Sequence, residues 1–190
     1  QRHPGAPELL AAQAELLRLQ GRGDEALAYY RQAVERAPAD DAPLRAQLLA
    51  RLGSALGERG DLAQALDLLA QADQQHPNHP PVLGERATAL AEALQLAPAR
   101  ALLERALAQA GDDYLSLASA GQVALRAGDA ERARQELLKA TLIEPRYARA
   151  QVWLAVAELQ LGHLGAALDS LERASLADPL DPLPWQMRAT

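Results

Sequence analysis

Apolar residues recur along this chain three or four positions apart. Two examples are the run Leu49, Leu52 and Leu56 and the run Ala65, Leu69 and Ala72. This spacing predicts amphipathic helices, because residues three or four apart share one face of a helix. The sequence lacks the period-two alternation that predicts strands. We therefore predict an all-α fold, which the abundance of alanine and leucine, both strong helix formers, also favours.

The helical pattern repeats along the chain. Gly60-Asp61 and Gly128-Asp129 lie 68 residues apart, which is two periods of 34, and a degenerate turn at 94–98 lies between them. In this register we predict five units at residues 7–40, 46–79, 80–113, 114–147 and 148–181, with a partial sixth at 182–190. Repeats of this length indicate stacked supersecondary units.

Small and helix-breaking residues keep the same register. The twentieth position of the units holds Ala26, Ala65, Ala99, Ala133 and Ala167, and the twenty-seventh holds Ala33, Ala72, Ala106, Ala140 and Ala174. The thirty-second holds Pro38, Pro77, Gly111, Pro145 and Pro179. Ten alanines at two fixed phases predict that neighbouring helices approach closely there, since nothing extends beyond Cβ.

The glycine-aspartate pairs predict the turn inside each unit. A glycine ends the first helix by adopting a left-handed conformation. Asp61 and Asp129 then stand where an N-cap side chain accepts backbone N–H groups, and Gln64 completes a capping-box pattern with Asp61. The insert 41–45, which contains Pro43, is predicted to extend the first helix of unit two backward.

These phases resemble those of the tetratricopeptide repeat family across essentially the whole chain. In unit two the matching residues are Leu49, Leu52, Gly53, Leu56, Gly60, Ala65, Leu69, Ala72 and Pro77. In unit four they are Leu117, Gly121, Gly128, Ala133, Leu137, Ala140 and Pro145, and Trp185 takes the family's tryptophan position in unit six. Departures are Ala14, Arg86-Ala87 and Gln151 at signature positions.

The resemblance implies a right-handed superhelical α-solenoid of antiparallel helix pairs. Its first helices would line a concave surface that holds a segment of another protein. The groove-facing residues implied for the second and third units include Ser54, Glu58, Glu85, Thr88 and Glu92. The family's carboxylate-binding slots hold Ala11, Ala50, Gly84, Ala118, Glu15, Ser54, Thr88 and Gln122, so recognition of a chaperone tail is not expected.

The implied groove becomes apolar toward units four and five. Trp153 with Val152, Val156, Leu159 and Tyr147 is predicted to form an exposed patch, and such patches mark interfaces. Coverage by further repeats is the alternative. The predicted partner-binding residues are Gln122, Leu125, Arg126, Tyr147, Arg149, Val152, Trp153, Val156 and Leu159.

Charge and composition narrow the classes of function. The net charge is −6, and arginines are interleaved with acids, so nucleic-acid binding is not expected. No apolar run approaches the ~20 residues of a membrane span, so we expect no membrane insertion. Cysteine is absent, which excludes thiolate sites and disulfides. The bias toward arginine, alanine and leucine is typical of a GC-rich bacterial gene.

Few residues are candidates for chemistry. His76 and His79 are close in sequence, but a third metal ligand is lacking. The acid pairs 40–41 and 112–113 lie at turns between units, which do not supply the burial that a catalytic acid needs. We expect no catalysis, no cofactor and no metal.

Three hypotheses for the function remain open at this point. The first is a non-catalytic protein-binding scaffold in a larger bacterial assembly for secretion, polysaccharide export or signalling, in the cytoplasm or periplasm. The second is a regulatory or substrate-presenting arm of an enzyme such as a glycosyltransferase or sulfotransferase. The third is a self-assembling array, a homo-oligomer. The chain begins at Gln1 and ends at Thr190 within a helical pattern, and we interpret it as a fragment.

Overall fold

The computed structural model describes residues 6–111, 113–179, 184 and 187. These residues are all-α, as predicted, and no strand occurs among them. The helices are α1 Pro7–Leu19, α2 Gly23–Arg36, α3 Ala42–Glu58, α4 Leu62–Gln75, α5 Pro80–Glu92, α6 Leu96–Ala110, α7 Tyr114–Arg126, α8 Ala130–Ile143, α9 Ala148–Gln160 and α10 Leu164–Ala177.

The helices stack in antiparallel pairs. Each odd-numbered helix packs on the even-numbered helix that follows it, and each pair packs on the next. The odd-numbered helices α3, α5, α7 and α9 also contact one another in succession, so they line one continuous face. Contact between α1 and α3 is weaker, which marks the first junction as the irregular one.

The core is a series of local clusters rather than one centre, as expected for a solenoid. One cluster joins α1, α2 and α3 around Tyr30 and Leu56. Another joins α7, α8 and α9 around Leu137 and Leu154. Each helix therefore depends for its burial on its immediate neighbours in the chain.

The ten phased alanines are buried, as their register predicts. Each is at most 1% exposed. Glycines in the first helices serve the same close packing. A Cβ at Gly53 would lie 2.9 Å from Leu69 Cγ, and one at Gly121 would overlap the side chain of Leu137 in α8.

The turn inside each unit places one residue in the left-handed region. Gly60, Gly128 and Gly162 occupy it with φ of 93°, 77° and 80°. In unit three Leu94 occupies the equivalent position, with φ of 60° and a side chain that is 79% exposed. The degenerate turn seen in the sequence therefore keeps the backbone shape without the glycine that favours it.

The helix caps agree only in part with the predictions. Asp129 accepts the Arg132 N–H at 3.1 Å, as predicted. The predicted side-chain cap at Asp61 is wrong, because that side chain makes no capping hydrogen bond. It lies instead beside Arg59, with Nε and Oδ2 4.0 Å apart.

The insert in unit two behaves as predicted. α3 begins at Ala42, inside the insert, and is 17 residues long. Asp41 caps it by accepting the Leu44 N–H at 3.0 Å, and Pro43 stands in its first turn, where a missing N–H has no cost.

The C-terminal end is partly covered by the chain itself. Met187 packs against Ala155, Ala167 and Leu171. Trp185 and most of the predicted sixth unit lie outside the described residues. Among the helices that the structure describes, none combines the length and the apolar character needed to cross a membrane.

Candidate protein-binding groove

A depression open to solvent lies on the face formed by α5, α7 and α9. It is shallow, with a cavity volume of about 30 Å³. Its lining consists of Pro81, Glu85, Thr88, Leu115, Ala118, Ser119, Gln122, Tyr147, Arg149 and Trp153. The depression thus combines two aromatic rings, two opposite charges and a row of neutral polar groups.

Gly84 brings two walls of the depression together. A Cβ at this position would lie 2.9 Å from Ser119 Oγ and 3.4 Å from its Cβ. The glycine therefore allows α7 to approach α5 closely. Leu83 and Ala87, which flank Gly84 on α5, are fully buried.

The structure separates the predicted partner-binding residues into three groups. Gln122, Tyr147, Arg149 and Trp153 line the depression. Arg126 and Leu159 are exposed outside it, and Val156 is half-buried. Val152 and Leu125 are only 3% and 9% exposed.

The exposed apolar patch expected around Trp153 is therefore smaller than its sequence indicates. Val152 and Trp153 are consecutive, so their side chains leave α9 about 100° apart. Val152 turns into the stack, while Trp153 and Val156 lie at the edge of the cluster between α7, α8 and α9. Trp153 is half-buried, and its indole N–H is buried without a hydrogen-bond acceptor among the described residues.

Tyr147 stands at the N-terminus of α9 and packs edge-on against Tyr114. Their ring centroids are 5.3 Å apart, with an interplanar angle of 72°. This edge-to-face arrangement is favourable for aromatic pairs. Burial raises the pKa of Tyr147. The pair fixes the position of one aromatic wall of the depression.

Ion pairs cross the groove beside the depression. Arg149 donates to Glu58 Oε1 at 2.7 Å, and Arg18 Nη1 lies 3.4 Å from the same oxygen. Arg126 lies 3.8 Å from Glu92. Burial raises the pKa of Glu92, and Glu58 and Glu85 add to the effect. Acids and bases therefore alternate along this face.

Glu15 anchors a second network near the start of the chain. It receives hydrogen bonds from Arg18, at 3.2 Å from Nε to Oε2, and from the Tyr30 hydroxyl, at 2.6 Å. The hydrogen bond from Arg18 is the main reason that the pKa of Glu15 falls to about 2, and Tyr30 contributes. The family resemblance places Glu15 at a groove position, but the sequence does not indicate its hydrogen bond with the buried Tyr30.

The histidine pair forms a tilted ring contact, with an interplanar angle of 33°. The rings of His76 and His79 are 4.6 Å apart, and burial, followed by the charge of His76, lowers the pKa of His79. Within the described ranges, no three histidine, aspartate or glutamate residues are grouped as metal ligands would be. His163 is the N-cap residue of α10, and its Nδ1 lies 2.7 Å from the buried Glu158 carboxylate.

Known protein families match nearly the full length of the chain. One model of the tetratricopeptide repeat matches residues 7–72, and a second matches 57–120 and 124–190. A comparison with curated proteins finds no match.

Solved structures resemble the fold at low sequence identity. TTC0263, a thermophilic TPR protein in Thermus thermophilus, is 22% identical, with a TM-score of 0.78 and coverage of 97% of both chains. YrrB, described as a TPR protein with an unusual peptide-binding site, is 20% identical, with a TM-score of 0.57 and coverage of 96% of this chain and 91% of its own. A chain of the APC/C assembly Cut9-Hcn1 is 19% identical, with a TM-score of 0.72. The match covers 96% of this chain and 36% of the Cut9-Hcn1 chain.

Proposed function

Because the chain belongs to the tetratricopeptide repeat family, we propose that its α5–α7–α9 depression holds a segment of a partner protein. Repeats of this family indicate a protein–protein interaction scaffold, and their fold is generally non-catalytic. The observation that supports this site is the depression itself, where Trp153 and Tyr147 stand beside polar groups.

The lining fits a segment of polypeptide better than a compact small molecule. Aromatic side chains are frequent anchors in protein interfaces. Ser119, Thr88 and Gln122 line the depression and offer hydrogen-bonding groups to a main chain. The peptide-binding site named for YrrB is a further reason to expect peptide recognition in a stack of this shape.

We further propose that this scaffold is part of a larger bacterial assembly. The arginine, alanine and leucine bias of the sequence supports a bacterial origin, and so does the similarity to the Thermus protein. The gene that encodes this chain discriminates between this proposal and an arm fused to an enzyme. Further repeats favour the assembly, and an α/β catalytic domain favours the enzyme.

The test captures a partner with the intact chain, identifies it, and measures its affinity by titration calorimetry. Trp153→Ala should weaken binding by about 2 kcal/mol or more, the usual cost of losing an aromatic anchor. Trp153 also packs on a core cluster, so this variant alone confuses binding with stability. Gln122→Ala is therefore measured beside it, because Gln122 lines the depression and makes no side-chain hydrogen bond to the described residues.

Leu142→Ala is the matched control. Leu142 is 79% exposed on α8, which is the second helix of its unit, and it does not line the depression. The Leu142→Ala variant should bind the partner with the affinity of the wild type. Unchanged affinity in both groove variants, with their helicity retained, would show that the partner binds elsewhere.

A further inference from the structure

Glu85 is the charged group of the depression that makes no ion-pair contact with a described residue, although the positive charge of Arg149 acts on it from beyond 4.0 Å. Its Oε2 accepts a hydrogen bond from the Ser54 hydroxyl at 2.6 Å. Among the residues that the structure describes, no arginine, lysine or histidine nitrogen lies within 4.0 Å of this carboxylate. The Ser54 hydroxyl is the one side-chain donor to this carboxylate among the described residues, so it keeps acceptor sites for a cation.

Neighbouring acids on the same face are paired within the chain. Glu15 is bound by Arg18, Glu58 by Arg149, and Glu92 lies near Arg126. Glu85 also lies on an odd-numbered helix of this face, but it lines the depression. The contrast leaves Glu85 open to direct contact with a cation from outside the chain.

Arg149 lines the same depression but is already engaged. Its Nη2 donates to Glu58 Oε1 at 2.7 Å. An acidic side chain entering the depression would share Arg149 with Glu58 and would also be repelled by the Glu85 carboxylate. The charge of the depression that no ion-pair contact offsets is therefore the negative charge of Glu85, which favours a positively charged group of the ligand.

The remaining walls suit the rest of a long basic side chain. The rings of Trp153 and Tyr147 offer aromatic surface to a methylene stem or to a cation. Thr88, Ser119 and Gln122 carry oxygens that can accept further N–H groups, and a guanidinium has five to donate.

We propose that the depression receives an arginine or lysine side chain of the partner segment, with its charged end on Glu85 and its stem against Trp153. This inference rests on the proposed function, since it names the chemistry of the segment that the groove holds. It selects a basic segment over an acidic or a purely apolar one.

The probe is a set of three synthetic pools of extended peptides, blocked at both ends and randomised except at the centre. The central residue is arginine in the first pool, glutamate in the second and norleucine in the third. Binding to the intact chain is measured by fluorescence anisotropy at low and at high salt. The arginine pool should bind about tenfold tighter than the others, and high salt should reduce this advantage through screening.

Two variants assign the preference to Glu85. Glu85→Gln keeps the side-chain size and an acceptor for Ser54 and should abolish the advantage of the arginine pool. Glu85→Arg should reverse it in favour of the glutamate pool. Glu104→Gln, an exposed acid on α6 outside the depression, changes the net charge equally and should leave the advantage intact.

The outcomes separate this inference from the proposed function. If all three pools bind equally and Trp153→Ala weakens them all, the groove binds peptides but the basic preference is overturned. A preference for glutamate, or an arginine preference that survives Glu85→Gln, also overturns it. If no pool binds, or binding is unaffected by Trp153→Ala and Gln122→Ala, the proposed groove function itself fails.

Discussion

Arg149 donates a hydrogen bond to Glu58 Oε1 at 2.7 Å, although 91 residues separate the two positions. Arg149 belongs to α9 and Glu58 ends α3, so the contact joins helices that are not sequence neighbours. Glu58 also lies 3.4 Å from Arg18 of α1. One carboxylate thus links the first, second and fifth predicted units across the concave face.

The strength of this link is measurable by a double-mutant cycle of Glu58→Gln and Arg149→Met. Both side chains are about 40% exposed (41% and 40%), so the coupling should be small, about 0.2–1 kcal/mol in the free energy of unfolding. Urea denaturation at low and high salt gives the value and its screening. A coupling of zero at low salt would contradict a persistent contact between α3 and α9.

Arg18→Met provides the matched comparison. Its distance to Glu58 is longer, 3.4 Å against 2.7 Å, so its coupling with Glu58→Gln should be the smaller of the two. Arg18 also binds Glu15, and removing it therefore lowers stability beyond the Glu58 coupling. The opposite ranking would place Glu58 nearer to α1 than to α9.

Leu94→Gly should stabilise the chain. Leu94 holds φ of 60° with its side chain 79% exposed. A left-handed conformation costs a residue with a Cβ about 1–2 kcal/mol, and glycine is free of that cost. Thermal unfolding should show a gain of about 1 kcal/mol, since glycine also loses more entropy on folding.

Leu94→Ala separates the backbone effect from the loss of an exposed leucine. Alanine keeps the Cβ and the unfavourable conformation, so its stability should stay near that of the wild type. Equal gains in both variants would assign the effect to the exposed side chain instead. No gain from glycine would mean that the turn does not hold the left-handed conformation in solution.

The repeating features of the fold could be predicted from the sequence because they are local. Alanines such as Ala65 and Ala133 are buried since every unit places them in the same contact between helices. The backward extension of α3 followed from Pro43, which is compatible with a first helical turn. These inferences need only the register and the chemistry of single residues.

The details of the groove could not be predicted in the same way. Register marked Val152 and Trp153 alike as groove-facing, yet only Trp153 lines the depression, because exposure there depends on how far α9 turns against its neighbours. The contact between Glu58 and Arg149 depends on the curvature of the whole stack. At Asp61 the side chain lies beside Arg59 instead of capping the helix, and the repeat pattern does not specify that contact.

Gly121→Ala should destabilise the chain. The new Cβ would overlap the side chain of Leu137, which is fully buried in α8. Overpacking of this kind costs about 1–3 kcal/mol. Gly57→Ala is the matched control on α3, since its Cβ would meet Ala65 Cβ at 3.8 Å, an ordinary contact. It should be neutral or gain up to about 1 kcal/mol from lower entropy of the unfolded chain.

Both variants are compared with the wild type by urea denaturation followed by circular dichroism. A loss in Gly121→Ala together with no loss in Gly57→Ala is the expected pattern. Equal losses would mean that helix propensity and not the Leu137 contact decides the outcome. If the overlap is the cause, combining Gly121→Ala with Leu137→Ala should cost less than the sum of the two single losses, because the shorter side chain makes room for the new Cβ.

Glu15 should give the chain a stability that is lost in acid. Its pKa is lowered from 4.5 to about 2 in the folded chain, chiefly by the hydrogen bond from Arg18. A depressed carboxyl pKa stabilises the fold above the unfolded pKa, and this stabilisation disappears as pH falls from about 4.5 to about 2. Glu15 is 39% exposed, so solvent screening limits the effect to about 1 kcal/mol.

The measurement compares the wild type with Glu15→Gln by urea denaturation at neutral pH and at about pH 2. The difference in unfolding free energy should be present at neutral pH and should shrink at the acidic end. Tyr30→Phe is the control, because it removes the 2.6 Å hydrogen bond to Glu15 but keeps Arg18 in place. It should lose about 1 kcal/mol and retain most of the pH dependence, since the charge partner remains. A difference between the wild type and Glu15→Gln that is the same at both pH values would contradict the lowered pKa.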